Sequence, residues 1–497
     1  MNQSWHGRNK QKKRVSWSTL ARALSAASLI QLAGCAAVGP EYVSPESTVS
    51  AAWHTELKQG GTGKTLDSQQ LVHWWTQFDD PVLSSLIQGA VTSNLDLKQA
   101  TAKLREARAR RGVSQAGQFP TVDGSGAMSR SKSSENSGGG GTHSSYSVAF
   151  DAGWEVDIFG GKRRAVEAAE ADLAASQEDL RDVLVTLTAE VALNYLDVRS
   201  LQKRLGVAEE NLVIQEQTFA LVQARCQAGI SNELALQQAR YNLESTRAQI
   251  PVLRSGLDEA QNRLAVLIGT VPGGVHQLLA ERRPIPFASP LVAVGVPAET
   301  LRRRPDIRRA ERNLAAQTAR VGVATADLYP TFRLAGSIGL EALKSAELFE
   351  AASKTWGIGP SVSWNIFDAG AIRQNIEVQS AIQEQYFFIY EGAVLAALEE
   401  VENALTAYAQ EQLRRERLFA AAAAASQAET LARNQYQAGL IDFTAILDAQ
   451  QALLSFADQQ AESDGAVTSN LIRLYKALGG GWDSLASSQF SEKDARQ

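Results

Sequence analysis

The sequence predicts a membrane α+β protein, in which four amphipathic strands per chain complete a barrel shared between copies, alongside long helical hairpins. Three observations carry that reading. Several short stretches alternate strictly between apolar and polar residues, the chain repeats itself at a displacement of 210 residues, and each repeat holds an uninterrupted helical run of about 65 residues.

The alternation is clearest between Tyr146 and Ile158. Tyr146, Val148, Phe150, Ala152, Trp154, Val156 and Ile158 are apolar, whereas Ser147, Asp151, Gly153, Glu155 and Asp157 fall between them. Successive side chains of a strand point to opposite faces, so one face meets an apolar medium and the other meets water. Phe332, Leu334, Ile338 and Leu340 alternate in the same way with Arg333, Ser337 and Glu341. Trp356, Ile358, Val362, Trp364 and Ile366 alternate with Gly357, Gly359, Ser361, Ser363 and Asn365. Each stretch is about long enough to cross a bilayer at a tilt, and Tyr146, Trp154, Trp356 and Trp364 are candidates for the membrane-facing aromatic belt. A sheet packed on helices in a soluble domain has the same alternation, so at this point both remain open.

Composition limits what can surround the strands. The chain has 497 residues, 44% hydrophobic and 21% charged, which are folded-protein proportions. Thirteen prolines are few for this length and suit long helices. The net charge is -5, but all of Arg8, Lys10, Lys12, Lys13, Arg14 and Arg22 precede Cys35, with no acid before it. Without them, 43 basic residues face 54 acidic ones, a charge of -11 that excludes nucleic acid as a partner by bulk electrostatics. No window of about 18 residues is apolar enough for a membrane-spanning helix.

Residues 1–34 read as an export signal, with a basic segment from Lys10 to Arg14 and an apolar stretch from Ala23 to Ile30. Leu32-Ala33-Gly34-Cys35 then resembles the lipobox of bacterial lipoproteins, which makes Cys35 the candidate lipidation site; the alternative is a plain secretory signal. Acylation of Cys35 would leave Cys226 without a disulfide partner. Residues 35–80 form an irregular arm with Gly39, Pro40 and Pro45, and Trp74, Trp75 and Phe78 can anchor its end. Asp80-Pro81 is a helix start, aspartate at the cap and proline in the first turn.

The remainder is duplicated. Asp96 meets Asp306, Leu104 meets Leu314, Pro120-Thr121 meets Pro330-Thr331 and Trp154 meets Trp364. Gln227-Ala228-Gly229 likewise meets Gln437-Ala438-Gly439, and Gly269 meets Gly479. The first repeat spans 81–270, with strands over 119–132 and 145–159 and a helical tip at 228–231. A linker over 271–300 leads to the second repeat, 301–480, with strands over 330–342 and 355–367 and a tip at 438–441; a tail of 481–497 follows. Each repeat opens with a helix, about Pro81 to Gln115 and Pro305 to Asp327. The long helices, Lys162 to Gln227 and Ala371 to Gln437, should each extend about 100 Å and turn at a glycine. Leu180, Leu184, Leu187, Val191, Tyr195, Val198 and Leu205 have coiled-coil-like spacing, and Pro251 is expected to kink the first return helix.

Four strands cannot close a membrane barrel, whose smallest members have about eight, and lipid does not tolerate open edges. Two copies would give a barrel filled by its own side chains. Three copies, with twelve strands, give an open conduit.

The residues also resemble a known family. Trp74-Trp75 with Phe78, Leu83, Leu86 and Asn94-Leu95-Asp96-Leu97 are similar to the opening of the outer-membrane factor (TolC-like) family, as are Arg303-Arg304-Pro305-Asp306-Ile307 through Glu311 and Tyr329-Pro330. The lipobox followed by Val38-Gly39-Pro40-Glu41-Tyr42 resembles its NodT/OprM-like lipoprotein branch. The resemblance covers nearly everything from Cys35 to Gly479. It implies a homotrimer with a twelve-stranded outer-membrane barrel, four strands per chain, continuous with a long periplasmic helical barrel and an equatorial domain. It further implies the exit duct of a tripartite efflux pump for small molecules, lipid-anchored in the outer membrane, with a periplasmic adaptor and an RND-type inner-membrane transporter as partners. Protein (type I) secretion is the alternative within the family.

For the tips, the resemblance implies that Tyr436, Gly439, Leu447 and Ala449 receive the adaptor, with Gly229 and Ala239 in the first repeat. There the pattern departs: Cys226 replaces the tyrosine and Gln237 the leucine. Asp448 stands at a gating carboxylate position, where three copies would repel one another and retain cations. Ala445 occupies the other such position; Phe443 is a candidate apolar constriction or a core contact, and Asp442 and Arg225 are candidate partners in polar contacts between protomers at the tips.

An enzyme is not expected. His6, His54, His73, His143 and His276 show no metal spacing, no phosphate loop follows a strand, no nucleophile elbow is present, and neither cofactor nor metal is implied. A periplasmic coiled-coil structural or adaptor lipoprotein is the third class, which the amphipathic strands argue against.

Overall fold

The computed structural model describes residues 37–45, 52–55, 71–137, 140–287 and 297–482. The export signal, Cys35, half of the arm, part of the linker and nearly all of the tail lie outside the described residues. The elements are α1 (Pro81–Ser93), α2 (Leu95–Ala116), β1 (Thr121–Lys132), β2 (Thr142–Val156), α3 (Gly161–Gln227), α4 (Glu233–Leu267), α5 (His276–Leu279), α6 (Pro297–Arg303), α7 (Pro305–Ala326), β3 (Thr331–Ala342), β4 (Lys354–Ser363), α8 (Ala371–Gln437) and α9 (Phe443–Ala477). They fall into two compact units, one of residues up to 43 with 108–172 and 313–386, the other of 44–107, 173–312 and 387–497.

The first unit holds a single antiparallel sheet in the order β1-β2-β3-β4. Its register puts the alternating residues in rows. Phe150 pairs with Gly124 and Ile338, and Ile338 with Trp356; Trp154 pairs with Leu334, and Phe332 with Val362. Parity therefore gathers the apolar side chains on one face, where Phe150, Ile338, Trp356 and Ile358 are all exposed. The opposite face carries Asp123, Asp151 and Ser337 in one row and Glu155, Arg333 and Ser361 in another. Within the chain, β1 and β4 each have one edge without a strand partner among the described residues.

Strand limits differ from those expected. β2 begins at Thr142, and β4 stops at Ser363, so Trp364 and Ile366 lie beyond it. The tryptophans are held by their polar ends: Trp154 Nε1 donates to Gln118 O at 2.9 Å and Trp364 Nε1 to Leu328 O at 3.1 Å. Both carbonyls lie just past α2 and α7, where helical partners run out. The two bonds are the same contact made once in each repeat.

The arm meets this unit through Val38 and Gly39. Arg164 is buried and donates from Nε to Val38 O at 3.1 Å, and Val38 N donates to Phe159 O at 3.0 Å. Gly39 has φ +92°, and a Cβ on it would collide with the backbone of Gly322. Only glycine meets both demands.

In the second unit, the helix expected over 81–115 is two helices. Asn94 ends α1 and caps α2, its Oδ1 accepting from Leu97 N at 3.0 Å while its Nδ2 donates to Leu267 O at 2.9 Å. Asp80 caps α1 by accepting from Val82 N and Leu83 N. α4 runs on through Pro251 without ending there. The core gathers Trp74, Leu83, Tyr195, Leu264, Leu405 and Leu471, all nearly inaccessible. Trp74 stacks on Tyr475 with ring centroids 5.7 Å apart and abuts Trp75 and Phe78 edge-on, an arrangement that stabilises by about 1 kcal/mol per pair beyond burial. Among the described residues no helix is long and apolar enough to cross a membrane.

Candidate functional site

Both long helices end in the same turn. Gly229 N donates to Cys226 O and Ile230 N to Arg225 O; Gly439 N donates to Tyr436 O and Leu440 N to Gln435 O. Gly229 and Gly439 have φ +72° and +77°, the left-handed conformation that lets the chain double back and satisfies the last carbonyls. The turns themselves are exposed. The side chains just behind them are not.

Tyr436, Phe443, Ile446 and Leu447 pack with Val222, Ala235 and Ala239 into one tip core. Phe443 stands edge-on to Tyr436, ring centroids 5.8 Å apart. Its ring is committed to this core and is 6% exposed within one chain, as a core contact would be. Tyr436, Leu447 and Ala239 are likewise 5% exposed and hold the two hairpins together rather than presenting a surface. The groups presented at the tips are Ile230, Leu234 and Leu440, at 66%, 64% and 74% exposure. None of them is among the motif positions singled out in the sequence; Ile230 and Leu440 are signalled by apolarity immediately after a turn glycine, whereas Leu234 is not.

The two return helices turn different faces inward. α4 uses Ala235 and Ala239, whereas α9 uses Phe443, Ile446 and Leu447. Gln237, at the position matching Leu447, is therefore exposed and donates to Glu233 Oε1 at 2.7 Å. Asp442, Ala445 and Asp448 are exposed, and Ala449 is half-buried. Asp448 shares the solvent stripe of α9 with Ala445, opposite Ile446 and Gln450. Asp442 sits at the N-cap of α9 without a side-chain capping bond. Within the chain, Arg225 Nη1 donates to Tyr436 O at 2.8 Å and its guanidinium lies 4.7 Å from the Tyr436 ring centre. One level behind, Gln450 Nε2 donates to Thr218 Oγ1 at 2.7 Å, a buried bond between the two hairpins.

A second cluster surrounds Arg304, the arginine of the Arg-Pro-Asp motif. Arg304 forks onto Asp306 through Nε and Nη2, at 3.0 and 2.7 Å, and Nη1 donates to Ala477 O and Glu400 Oε2, both at 2.7 Å. Burial raises the Asp306 carboxyl, but the Arg304 bonds and charge outweigh it and hold Asp306 below the usual range. Arg309 bridges Asp179 and Asp182, and burial pushes Asp182 up despite Arg309. Asp80 Oδ2 accepts from Tyr195, whose hydroxyl burial raises to about 12. These are structural locks with no open reaction centre. Among the described residues no group of His, Cys, Asp and Glu could hold a metal ion.

The profile of the outer membrane efflux protein family matches this chain twice, over residues 86–270 and 296–480. The chain belongs to that family. It is 31% identical over 455 residues to the cation efflux system protein CusC of Escherichia coli O6:H1, covering 91% of this chain and 97% of CusC. It is also 31% identical over 476 residues to the toluene efflux pump outer membrane protein TtgF of Pseudomonas putida, covering 93% and 98%. The solved outer-membrane channel OprN superposes with a TM-score of 0.84 at 35% identity, covering 90% of this chain and 99% of OprN. The fold class is accordingly a trimeric twelve-stranded outer-membrane barrel, four strands per chain, with a helical barrel and an internal repeat. The chain is an outer-membrane component of a tripartite efflux pump, working with an adaptor and an inner-membrane transporter; it is not an enzyme.

Proposed function

We propose that this duct passes small molecules delivered by an RND-type transporter, is tethered to outer-membrane lipid through acylated Cys35, and is docked and gated at the helical tips. The docking reading rests on one contrast. Behind each turn glycine the apolar side chains are spent on an internal core, while Ile230, Leu234 and Leu440 stay uncovered. Bare apolar groups on a protruding, internally braced turn are what a partner would cover. Tyr436, Leu447 and Ala239 act behind them by holding the turns at a set spacing. Relatives whose names specify cations and toluene support a duct that leaves choice of cargo to its transporter.

Ile230→Asp with Leu440→Asp should abolish resistance conferred by the complete pump while trimers persist in the outer membrane. Unchanged resistance at equal trimer level would refute docking at these turns.

Asp448 supports the gating reading, being exposed on the face of α9 that its own chain leaves open. Three carboxylates around a narrow axis would favour cations and oppose anions. Asp448→Ala should lower the cation preference in planar bilayers at low salt by about twofold or more, and the difference should shrink at 1 M salt. Conductance and preference both untouched would remove Asp448 from the gate.

A further inference from the structure

The polar face of the sheet carries a charge arrangement that the pump's general role does not require. Asp123 and Asp151 stand directly opposite each other across β1 and β2, and Ser337 and Gly357 complete their row. Like charges in directly opposed positions destabilise a strand pair. Ser125 Oγ donates to Asp151 Oδ2 at 3.2 Å, but that bond leaves the negative charge in place.

Arg333 supplies a counter-charge by an unexpected route. Its backbone pairs with Glu155, yet no ion pair joins the two side chains among the described residues; Glu155 lies 3.4 Å from Lys162 instead. The Arg333 guanidinium lies over Gly153. A Cβ built on that glycine would come within 2.9 Å of Nη2, 3.4 Å of Nε and 3.6 Å of Cζ. Gly153 is one step along the same face from Asp151, since residues two apart in a strand point the same way. Gly153, Ala335 and Gly359 are the small residues of one cross-strand row, which Thr121 completes on β1. The guanidinium thus has a bare shelf to lie on, and it shares a concavity of about 420 Å³ with Asp123, Asp151 and Ser337.

We propose that Arg333, seated on the Gly153 shelf, is a charge-filter residue of the barrel interior: it offsets the Asp123–Asp151 pair and so limits how strongly the barrel wall favours cationic over anionic solutes on their way out. Each chain then contributes three carboxylates, Asp123, Asp151 and Glu155, and one guanidinium at neighbouring heights, with Lys162 paired to Glu155. Gly153 is there because any side chain would lift the guanidinium off the shelf. This inference rests on the polar face lining the duct and is independent of Asp448 and of tip docking.

A thiol placed on the same row reads the local potential directly, whether or not the tips are open. The full-length trimer carrying Cys226→Ser and Ser337→Cys is treated from the exterior with a cationic and an anionic methanethiosulfonate reagent of similar size. The ratio of their rates measures the potential at that row. Arg333→Gln should raise the cation-to-anion ratio by about twofold or more at 0.1 M salt, where charges act over about 10 Å, and the change should fade at 1 M. Gly153→Val, which keeps every charge but takes the shelf, should raise it in the same direction and less far. Asp123→Asn should lower it. A ratio unmoved by Arg333→Gln would overturn the proposal. A response to Arg333→Gln without any to Gly153→Val would overturn the role of the shelf.

Discussion

Arg304→Ala should destabilise the second unit by about 3–5 kcal/mol, the range for removing one member of a buried charged network. The side chain is 10% exposed and satisfies Asp306, Glu400 and the Ala477 carbonyl at the end of α9 together. Its loss would strand the Ala477 carbonyl and a buried carboxylate that Arg304 holds below the usual range. Arg304→Lys should recover part of the loss, because an ammonium keeps the charge but not the fork. Thermal unfolding of detergent-solubilised trimers, followed by helical circular dichroism, reads this directly. Arg247, on an exposed pair with Glu216 and Glu244, is the control, and its alanine variant should leave the midpoint in place. Equal shifts for both variants would show that the Arg304 network carries no particular stability.

Ile338→Arg should prevent assembly in the outer membrane. Ile338 is at the centre of the apolar face, between Phe150 and Trp356, and is 65% exposed within one chain. An arginine on the lipid face near mid-bilayer costs about 2–4 kcal/mol per site, and a trimer incurs it three times. Ser337→Arg, one residue away on the opposite face, should assemble normally, since that face is hydrated. Counting SDS-resistant trimers in membranes from cells expressing each variant separates the faces. Comparable trimer yields for the two would mean that the apolar face does not meet lipid.

The sheet was the most legible part of the chain. Parity in β2, β3 and β4 follows from alternation, because a slip of one residue would send every apolar side chain to the wrong face. β1 is less so: between Val122 and Met128 its membrane face is glycine, lying beneath Phe150 and Val148 of β2, and it emerges only through the repeat. The break at Asn94 escaped the helical pattern because asparagine both ends one helix and caps the next, with its anchor at Leu267 far along the chain. The tip residues show the limit most clearly. Tyr436, Phe443 and Leu447 are apolar at helical spacing, and periodicity cannot tell a side chain that packs on its own protomer from one that faces a lumen or a partner. The Arg-Pro-Asp motif was visible as a pattern, but its tie to Ala477 depends on how α7 and α9 pack.

A twelve-stranded barrel shared by three chains requires that β4 of one copy pairs with β1 of the next. Cysteine pairs walked along Val122–Met128 on β1 and Trp356–Val362 on β4, in a Cys226→Ser background and oxidised in intact membranes, test that pairing. The expected result is cross-linking between chains at one register, repeated every second residue and ending at three copies. Cross-links confined to single chains, or folded monomers that form none, would contradict it.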